Sequence, residues 1–282
     1  MSEWEAIIVD LDGGERLDRC LRSIEAQTRK PSRVVIVDND STVPASLRIP
    51  GLQISHLIVR SERNLGFTGG VNLGWKKTSA PFVALINNDV ELRPEWAETM
   101  MAELGGDDLL AGVQSIVLTP AGLIDGAGID VESGRFLQLG HGQALESLRA
   151  EPWGISATAA LYRRAALQEV SIDGAPFHPA FFAYYEDVEL SARLRGSGWR
   201  LSLARRPLVM HEGSRTASIL GSRADYLRTR NRYFVRRLHG VGRFGALLLE
   251  DGRKMLRALT RLEWKRLAAI ASGVVAGGLK RI

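Results

Sequence analysis

The chain has 282 residues, 45% of them hydrophobic and 24% charged, a composition that excludes a globally disordered protein and suits one large α/β domain with or without an appendage. Its net charge is +5, and its single cysteine, Cys20, excludes an internal disulfide or a cysteine-based metal cluster and fits a reducing compartment. Residues 1–5 lack signal-peptide features, and no apolar run reaches the roughly 20 residues that cross a bilayer, so we do not expect an integral membrane protein.

The first forty residues predict a strand–helix–strand unit. Residues 6–9 and 34–37 are short apolar runs typical of buried strands, and residues 17–27 between them have helical periodicity. Asp10 and Asp38 follow directly after the two strands. A right-handed parallel crossover would bring both carboxylates to one sheet edge. The alternative is that both acids only begin turns, which Asp favours.

A third predicted strand, residues 56–60, leads into Arg63, Asn64 and a segment with four glycines at 66–74, beginning with Gly66. Glycines allow close approach of a ligand, and the start of a following helix offers N–H groups to a phosphate. The spacing matches neither the dinucleotide nor the P-loop fingerprint. A tight turn with close helix packing explains the same glycines.

The apolar run 82–86 ends in the polar triplet Asn87, Asn88 and Asp89. Open α/β sheets bind ligands just beyond the carboxyl ends of their strands, where Asp89 is suited to hold a divalent cation against a phosphate. A simple turn before a helix starting near Pro94 is the alternative. Acids from three strands at one edge need a neutralising cation, which favours the metal interpretation.

The middle of the chain is less regular. Residues 109–118 predict a strand, 119–152 predict loops or a β-excursion over the site, and 153–162 predict a strand of small residues. Glu186 and Asp187 then follow a cluster of aromatic residues at the start of a helix. A carboxylate in a partly dry pocket can act as a general base, whereas acids in a first turn also simply favour the helix dipole.

Residues 199–203 predict a short edge strand, and His211 ends the next apolar run. A histidine there is either a core residue or the nitrogen ligand that an acidic rim lacks. The last 61 residues, 222–282, hold 15 Lys and Arg against 4 Asp and Glu, whereas the other 221 hold 22 against 28. We predict two helices, with the basic amphipathic one either lying on an anionic membrane or covering the body. Nucleic acid is disfavoured because no reader motif is present.

The order of five motifs resembles family-two glycosyltransferases with a GT-A fold, especially bacterial rhamnosyltransferase-like members, over roughly residues 5–240. The motifs are residues 37–41, 63–67, 87–89 and 185–190 and the late His211. The resemblance implies a GT-A-type, mainly parallel sheet flanked by helices in residues 1–221, with a nucleotide-binding half at about 1–92 and an acceptor half at about 93–221. Residues 222–282 would form a basic helical extension.

The resemblance also implies roles for these residues. Asp187 would be the base, with Glu186 beside it, and Asp89 with His211 would hold Mg²⁺ or Mn²⁺. The residues implied in binding the nucleotide sugar are Asp10, Asp38, Arg63, Asn64, Gly66 and Asn88, with Asp38 contacting the nucleoside.

The implied reaction is a metal-dependent, non-processive transfer with inversion. The donor would be dTDP-rhamnose first and a UDP-sugar next, and the acceptor a cell-envelope glycan, on a polyprenyl-diphosphate lipid. Such an enzyme would be cytoplasmic, either free or peripheral on the inner face of the plasma membrane. Asn87 departs from the first acid of the Asp-x-Asp motif, and Asp10-Leu11-Asp12 lacks the usual base-stacking residue.

Two rival interpretations stay open. A nucleotidyltransferase on a similar sheet usually has a glycine-rich loop with a basic residue straight after the first strand, and residues 10–16 fit that poorly. A membrane-surface binding or scaffold protein with a degenerate site is favoured by Asn87.

Overall fold

A mixed sheet runs through the middle of the protein in the computed structural model, which describes residues 3–48, 51–131, 133–149, 151–213 and 219–278. Among these residues, nine strands form the sheet in the order β3-β2-β1-β4-β10-β6-β11-β5, with β7 paired to β6. The first half comprises β1 (Trp4–Asp10), α1 (Glu15–Glu25), β2 (Arg33–Asn39), α2 (Ala45–Arg48), β3 (His56–Ser61), α3 (Gly66–Trp75) and β4 (Phe82–Asn87). Its four strands are parallel, as predicted.

The second half continues the sheet with both strand directions. It comprises β5 (Val90–Leu92), α4 (Trp96–Gly105), β6 (Leu110–Leu118), β7 (Ile124–Gly126), β8 (Ile129–Asp130), β9 (Leu137–Gln138), β10 (Ala159–Arg163), α5 (Arg164–Glu169), α6 (Glu186–Gly196) and β11 (Arg200–His211). β10 is antiparallel to both neighbours, β4 and β6, whereas β6 and β11 are parallel. The GT-A-type fold class is confirmed.

Both faces of the sheet are covered, which is why its central strands read as continuous apolar runs. Along β1, Ala6 and Ile8 pack into the core beneath α1 and α4, and Ile7 packs into the core beneath α3 and α6. Polar side chains are therefore left mainly at the strand ends, where the chain turns out of the sheet.

Three parts of the strand prediction differ from the structure. The chain turns at Asn88 and Asp89, and the residues that follow form a further short strand, β5. The strand predicted at 153–162 begins only at Ala159. The short edge strand predicted at 199–203 is wrong: β11 has 12 residues and lies between β6 and β5, with register shifts around Pro207, which lacks an N–H group to donate.

The basic tail forms three helices instead of the predicted two: α7 (Ser222–His239), α8 (Phe244–Thr260) and α9 (Trp264–Gly278). The glycine Gly240, with a left-handed φ of 70°, ends the first of them. No helix in the described residues is long and apolar enough to cross a membrane. Of the residues that carried the signal-peptide and tail predictions, 1–2 and 279–282 lie outside the described residues.

Candidate active site

A cavity of about 510 Å³ opens at the carboxyl ends of β1, β2 and β4. The 125–141 segment borders it, as the predicted β-excursion would, and residues from the aromatic segment, α6 and α7 complete its wall. Seven of the predicted site residues line it: Asn64, Gly66, Asn88, Asp89, Glu186, Asp187 and His211. The other three, Asp10, Asp38 and Arg63, do not.

Asp10 lies directly behind the cavity wall. Its Oδ1 accepts hydrogen bonds from the Asn88 side-chain amide at 2.7 Å and the Gly13 backbone N–H at 3.1 Å. A Cβ at Gly13 would lie 2.2 Å from that oxygen, so only glycine fits there. Asp10 therefore orients Asn88, which does reach the cavity.

Asp38 is 1% exposed and fully engaged by the protein. Its carboxylate accepts bonds from Arg60 Nη1 at 2.7 Å and from the backbone N–H groups of Ser41 and Ala45, both at 2.9 Å. Burial alone would raise the pKa of Asp38, but these hydrogen bonds outweigh it and lower the pKa. This geometry favours a role in fixing the 41–45 loop over direct contact with a nucleoside.

Asn39, beside Asp38, lines the cavity and was missed by the sequence analysis. Its amide donates to the carbonyl of Gly66 at 3.1 Å, and its Oδ1 accepts from Leu65 N at 2.9 Å. Gly66 N donates to Asn64 Oδ1 at 2.8 Å, and Thr68 N donates to the Phe182 carbonyl at 3.3 Å. These N–H groups at the start of α3, predicted as a phosphate cradle, thus already have protein acceptors.

The glycines of α3 instead allow close packing. At Gly66, with φ of 72°, a Cβ would lie 2.1 Å from the Phe182 carbonyl oxygen. At Gly70 and Gly74 it would lie 2.6 Å and 2.7 Å from side-chain atoms of Val9 and Ile7. The alternative of a tight turn with close helix packing is the one the structure shows.

Asp89 and His211 face each other on adjacent elements. β11 pairs antiparallel with β5 so that His211 lies opposite Val90, next to Asp89. His211 Nε2 and Asp89 Oδ1 are 3.2 Å apart, both residues are 9% exposed, and neither atom has a well-directed hydrogen bond. In an octahedral site with ligand atoms about 2.1 Å from the cation, two neighbouring ligand atoms lie about 3 Å apart. The distance between Asp89 Oδ1 and His211 Nε2 therefore fits Mg²⁺ or Mn²⁺.

The remaining ligands would have to come from outside the chain, since the described residues include no group of three His, Cys, Asp or Glu placed to hold a metal. Diphosphate oxygens and water are suitable ligands for such a cation.

Asp125, at the start of the glycine-rich excursion, orients His211. Its Oδ2 lies 2.8 Å from His211 Nδ1, an arrangement common behind metal-binding histidines. Burial alone would lower the pKa of His211, but the carboxylates of Asp125 and Asp89 outweigh it and raise the pKa to about 9. A divalent cation in place of the Nε2 proton would satisfy the same two atoms. The sequence analysis missed Asp125 because it lies within residues 119–152, where no individual strand or helix was predicted.

Glu186 and Asp187 begin α6 after two strained residues. Tyr184 and Tyr185 have left-handed φ values of 71° and 69°, which non-glycine residues rarely adopt. The buried Asn231 of α7 fixes this turn, because its side-chain amide donates to the carbonyls of Ala183 at 2.9 Å and Tyr184 at 2.7 Å. The basic tail therefore takes part in building the site.

The two carboxyl groups differ in their surroundings. Burial and the neighbouring Asp187 raise the pKa of Glu186 to about 8, and Glu186 Oε2 has no hydrogen-bond partner among the described residues. Burial also raises the pKa of Asp187, but its Oδ1 accepts the Val188 N–H at 2.8 Å, which favours the charged form. Asp187 is thus the group suited to accept a proton, with Glu186 neutral beside it.

Arg228 of α7 also reaches the cavity wall, with its guanidinium carbon 4.4 Å from the centroid of the Tyr184 ring. No carboxylate in the described residues forms an ion pair with it within 4 Å. A stacked guanidinium at the wall is suited to bind an anionic group.

The strand order, with a cavity at the carboxyl ends of the parallel strands, is that of a GT-A glycosyltransferase fold. The profile described as "Glycosyl transferase family 2" matches residues 6–171, more than half of the chain, and the protein belongs to this family. No curated protein sequence matches the chain.

Solved structures with the same fold are only distantly similar in sequence. TarS 1-349 of S. aureus in complex with UDP-GlcNAc superposes with a TM-score of 0.65 and 16% identity over 97% of this chain and 81% of that one. The mannosyltransferase PcManGT from Pyrobaculum calidifontis, with GDP-Man and Mn²⁺, gives 0.61 and 13% over 100% and 88%. GalNAc-T7 with UDP, GalNAc and Mn²⁺ gives 0.61 and 15% over 90% and 57%.

Proposed function

We propose that the protein transfers a sugar from a nucleotide donor to a hydroxyl acceptor with inversion, using a divalent cation. The observation that carries this proposal is the pair of Asp89 Oδ1 and His211 Nε2, buried atoms that lie 3.2 Å apart and make no well-directed hydrogen bond, in the cavity that Asp187 also lines. The likeness to structures solved with UDP-GlcNAc, GDP-Man and Mn²⁺ supports it.

Asp89 and His211 would hold the cation, and Asp125 would keep the imidazole in place. When bound, the cation supplies charge neutralisation for the diphosphate leaving group. Asn88, oriented by Asp10, and Arg228 both line the cavity and would bind the donor or acceptor. Arg63, which does not line the cavity, would contribute only after a change in its side-chain position.

The proposed transfer is a single displacement. The acceptor hydroxyl oxygen attacks the anomeric carbon and loses its proton to Asp187. The bond between that carbon and the diphosphate oxygen breaks, and its electron pair leaves with the nucleoside diphosphate. One displacement at one carbon gives inversion. Glu186, neutral at physiological pH, keeps a second negative charge away from the departing diphosphate.

For the donor we propose dTDP-rhamnose first and a UDP-sugar second, on the motif resemblance. The acceptor would be an envelope glycan carried on a polyprenyl diphosphate, with the enzyme on the inner face of the plasma membrane. Arg228 supports an anionic acceptor, because it offers a cation without an ion-pair partner among the described residues.

Protection against thermal unfolding tests this proposal directly. We expect dTDP or UDP to raise the melting temperature only in the presence of Mn²⁺ or Mg²⁺. Incubation of the preferred nucleotide sugar with a simple acceptor should then give a glycoside of opposite anomeric configuration by NMR. Metal-independent binding, or retention of configuration, would contradict the mechanism; turnover of a nucleoside triphosphate would favour a nucleotidyltransferase.

A further inference from the structure

Helix α8 of the tail has an inward face, which the rest of the protein covers, and an apolar face, which is uncovered. Leu247, Asp251 and Ala258 are at most 1% exposed and face the rest of the protein. Asp251 pairs there with Arg232 of α7, and Glu250 pairs with the same guanidinium at 2.7 Å. These contacts show which face of α8 points inward.

The apolar face of α8 is open to solvent. Leu248, Leu249, Leu256 and Leu259 are 46%, 67%, 61% and 44% exposed, and Phe244 is 46% exposed. At 3.6 residues per turn these five side chains fall within a sector of about 140°, and no charged residue lies within it. Leu262 and Trp264, 69% and 59% exposed, follow at the end of the helix.

Arg253 borders this sector, about 40° beyond Leu249, and Arg257 and Arg261 follow at about 80° and 120°. Arg253, Arg257 and Arg261 are exposed and have no ion pair with a carboxylate among the described residues. Lys254, Arg257, Arg261 and Arg266 also line one shallow recess, although Lys254 and Arg266 are paired with Glu250 and Glu263. An apolar sector bordered by cations is the arrangement of helices that lie in the interface of an anionic bilayer.

We propose that the outer face of α8 docks onto an anionic lipid surface. Its leucines would enter the acyl boundary while Arg253 and Arg257, which lie nearest to the apolar sector, contact lipid headgroups. Charge favours lipid over a second copy of the chain, because a second copy brings the same cations and its carboxylates nearby, Glu250 and Glu263, are already paired. The surface refines the proposed location at the inner leaflet but does not depend on the transfer chemistry.

Vesicle co-sedimentation without donor or metal tests the surface separately from catalysis. Full-length protein should bind vesicles of about one-third phosphatidylglycerol and two-thirds phosphatidylcholine, and bind weakly to pure phosphatidylcholine. Arg253→Gln with Arg257→Gln should weaken binding about fivefold per residue and reduce its salt dependence. Leu249→Glu with Leu256→Glu should lower the bound fraction at least tenfold.

Matched variants at other positions test whether the loss of any surface cations, or of any exposed leucine, is enough to reduce binding. Lys76→Gln with Lys77→Gln removes two exposed cations after α3, and Leu109→Glu changes an exposed leucine before β6. We expect both to bind as the unchanged protein does, with melting temperatures checked for every variant. Equal binding by the Leu249→Glu/Leu256→Glu variant would overturn the proposal. So would absence of vesicle binding together with a dimer that this variant dissolves, which would assign the face to a second copy.

Discussion

The side-chain amide of Asn231 donates to the carbonyl of Tyr184 at 2.7 Å, across 47 residues of sequence. This bond joins α7 to the strained turn immediately before Glu186 and Asp187. A tyrosine with a left-handed φ costs of order 1–3 kcal/mol, and this backbone conformation persists only when the surrounding structure fixes it. The proposed base is therefore positioned by a helix that composition alone assigns to an appendage.

We expect Asn231→Ala to lower kcat about 100-fold with a smaller change in KM, because the Tyr184–Tyr185 turn would relax and displace Asp187. It should also lower the free energy of unfolding by about 1–3 kcal/mol, since a buried carbonyl loses its partner. Steady-state kinetics and urea unfolding measure the two effects. Asn72→Ala is the control: Asn72 makes the same kind of bond to Phe177, at 2.8 Å, away from the turn. Equal kcat losses in both variants would show that Asn231 acts only through stability.

The role of Asp187 predicts a separation of binding from turnover. Asp187→Asn should keep the affinity for the nucleoside diphosphate and lose about 10²–10⁴ in kcat, the usual contribution of a general base. Glu186→Gln should stay within about tenfold of the unchanged protein, because Glu186 is already neutral near pH 7. Calorimetry and product formation are the measurements. Retained turnover in Asp187→Asn would assign the base elsewhere.

The metal pair predicts a change in cation requirement. His211→Ala should raise the Mn²⁺ concentration needed for half-maximal activity, and Asp125→Asn should raise it about 10–100-fold by loosening the imidazole. His56→Ala, a histidine on β3 outside the cavity lining, should leave it unchanged. Unaltered metal dependence in His211→Ala would return this histidine to a structural role.

The raised pKa of Glu186 predicts how stability depends on pH. Its ordinary value is 4.5 and its folded value about 8, so the folded state holds this proton more tightly. Protonated Glu186 makes its full contribution to the free energy of unfolding below pH 4.5. This contribution is lost as the pH rises toward 8, at up to about 1.4 kcal/mol per pH unit. Glu186→Gln should therefore gain stability over the unchanged protein between about pH 5 and pH 8, measured by urea unfolding. A constant difference across this range would contradict the assignment.

The sequence predicted the parallel half of the sheet well, because buried strands and helices carry their periods locally. Asp89 and His211 could be proposed as partners from the acidic rim and the motif resemblance, but the sequence did not show how close they lie. Their distance depends on the pairing of β5 with β11, which joins residues more than a hundred positions apart.

The roles of the glycines and of Asp38 could not be predicted from the sequence. A ligand-binding role and a structural role require the same residue, and they differ only in which atoms lie against that residue in the fold. Gly66, Gly70 and Gly74 have the composition of a phosphate loop, yet their missing Cβ atoms make room for Phe182, Val9 and Ile7. Asn231 and Asp125 carried no signal at all, since each acts through a contact with a distant turn or ring.

The ion pair of Arg232 with Asp251 limits where the chain can be shortened. Arg232 is 1% exposed and Asp251 is fully buried. Removing α8 would therefore leave the guanidinium of Arg232 without its counter-charge. The family match ends at residue 171, but an active fragment must include α7 for Asn231 and, through Arg232, most of α8 as well. Truncation at residue 221 is thus expected to yield an inactive protein, and truncation at residue 239 an unstable one.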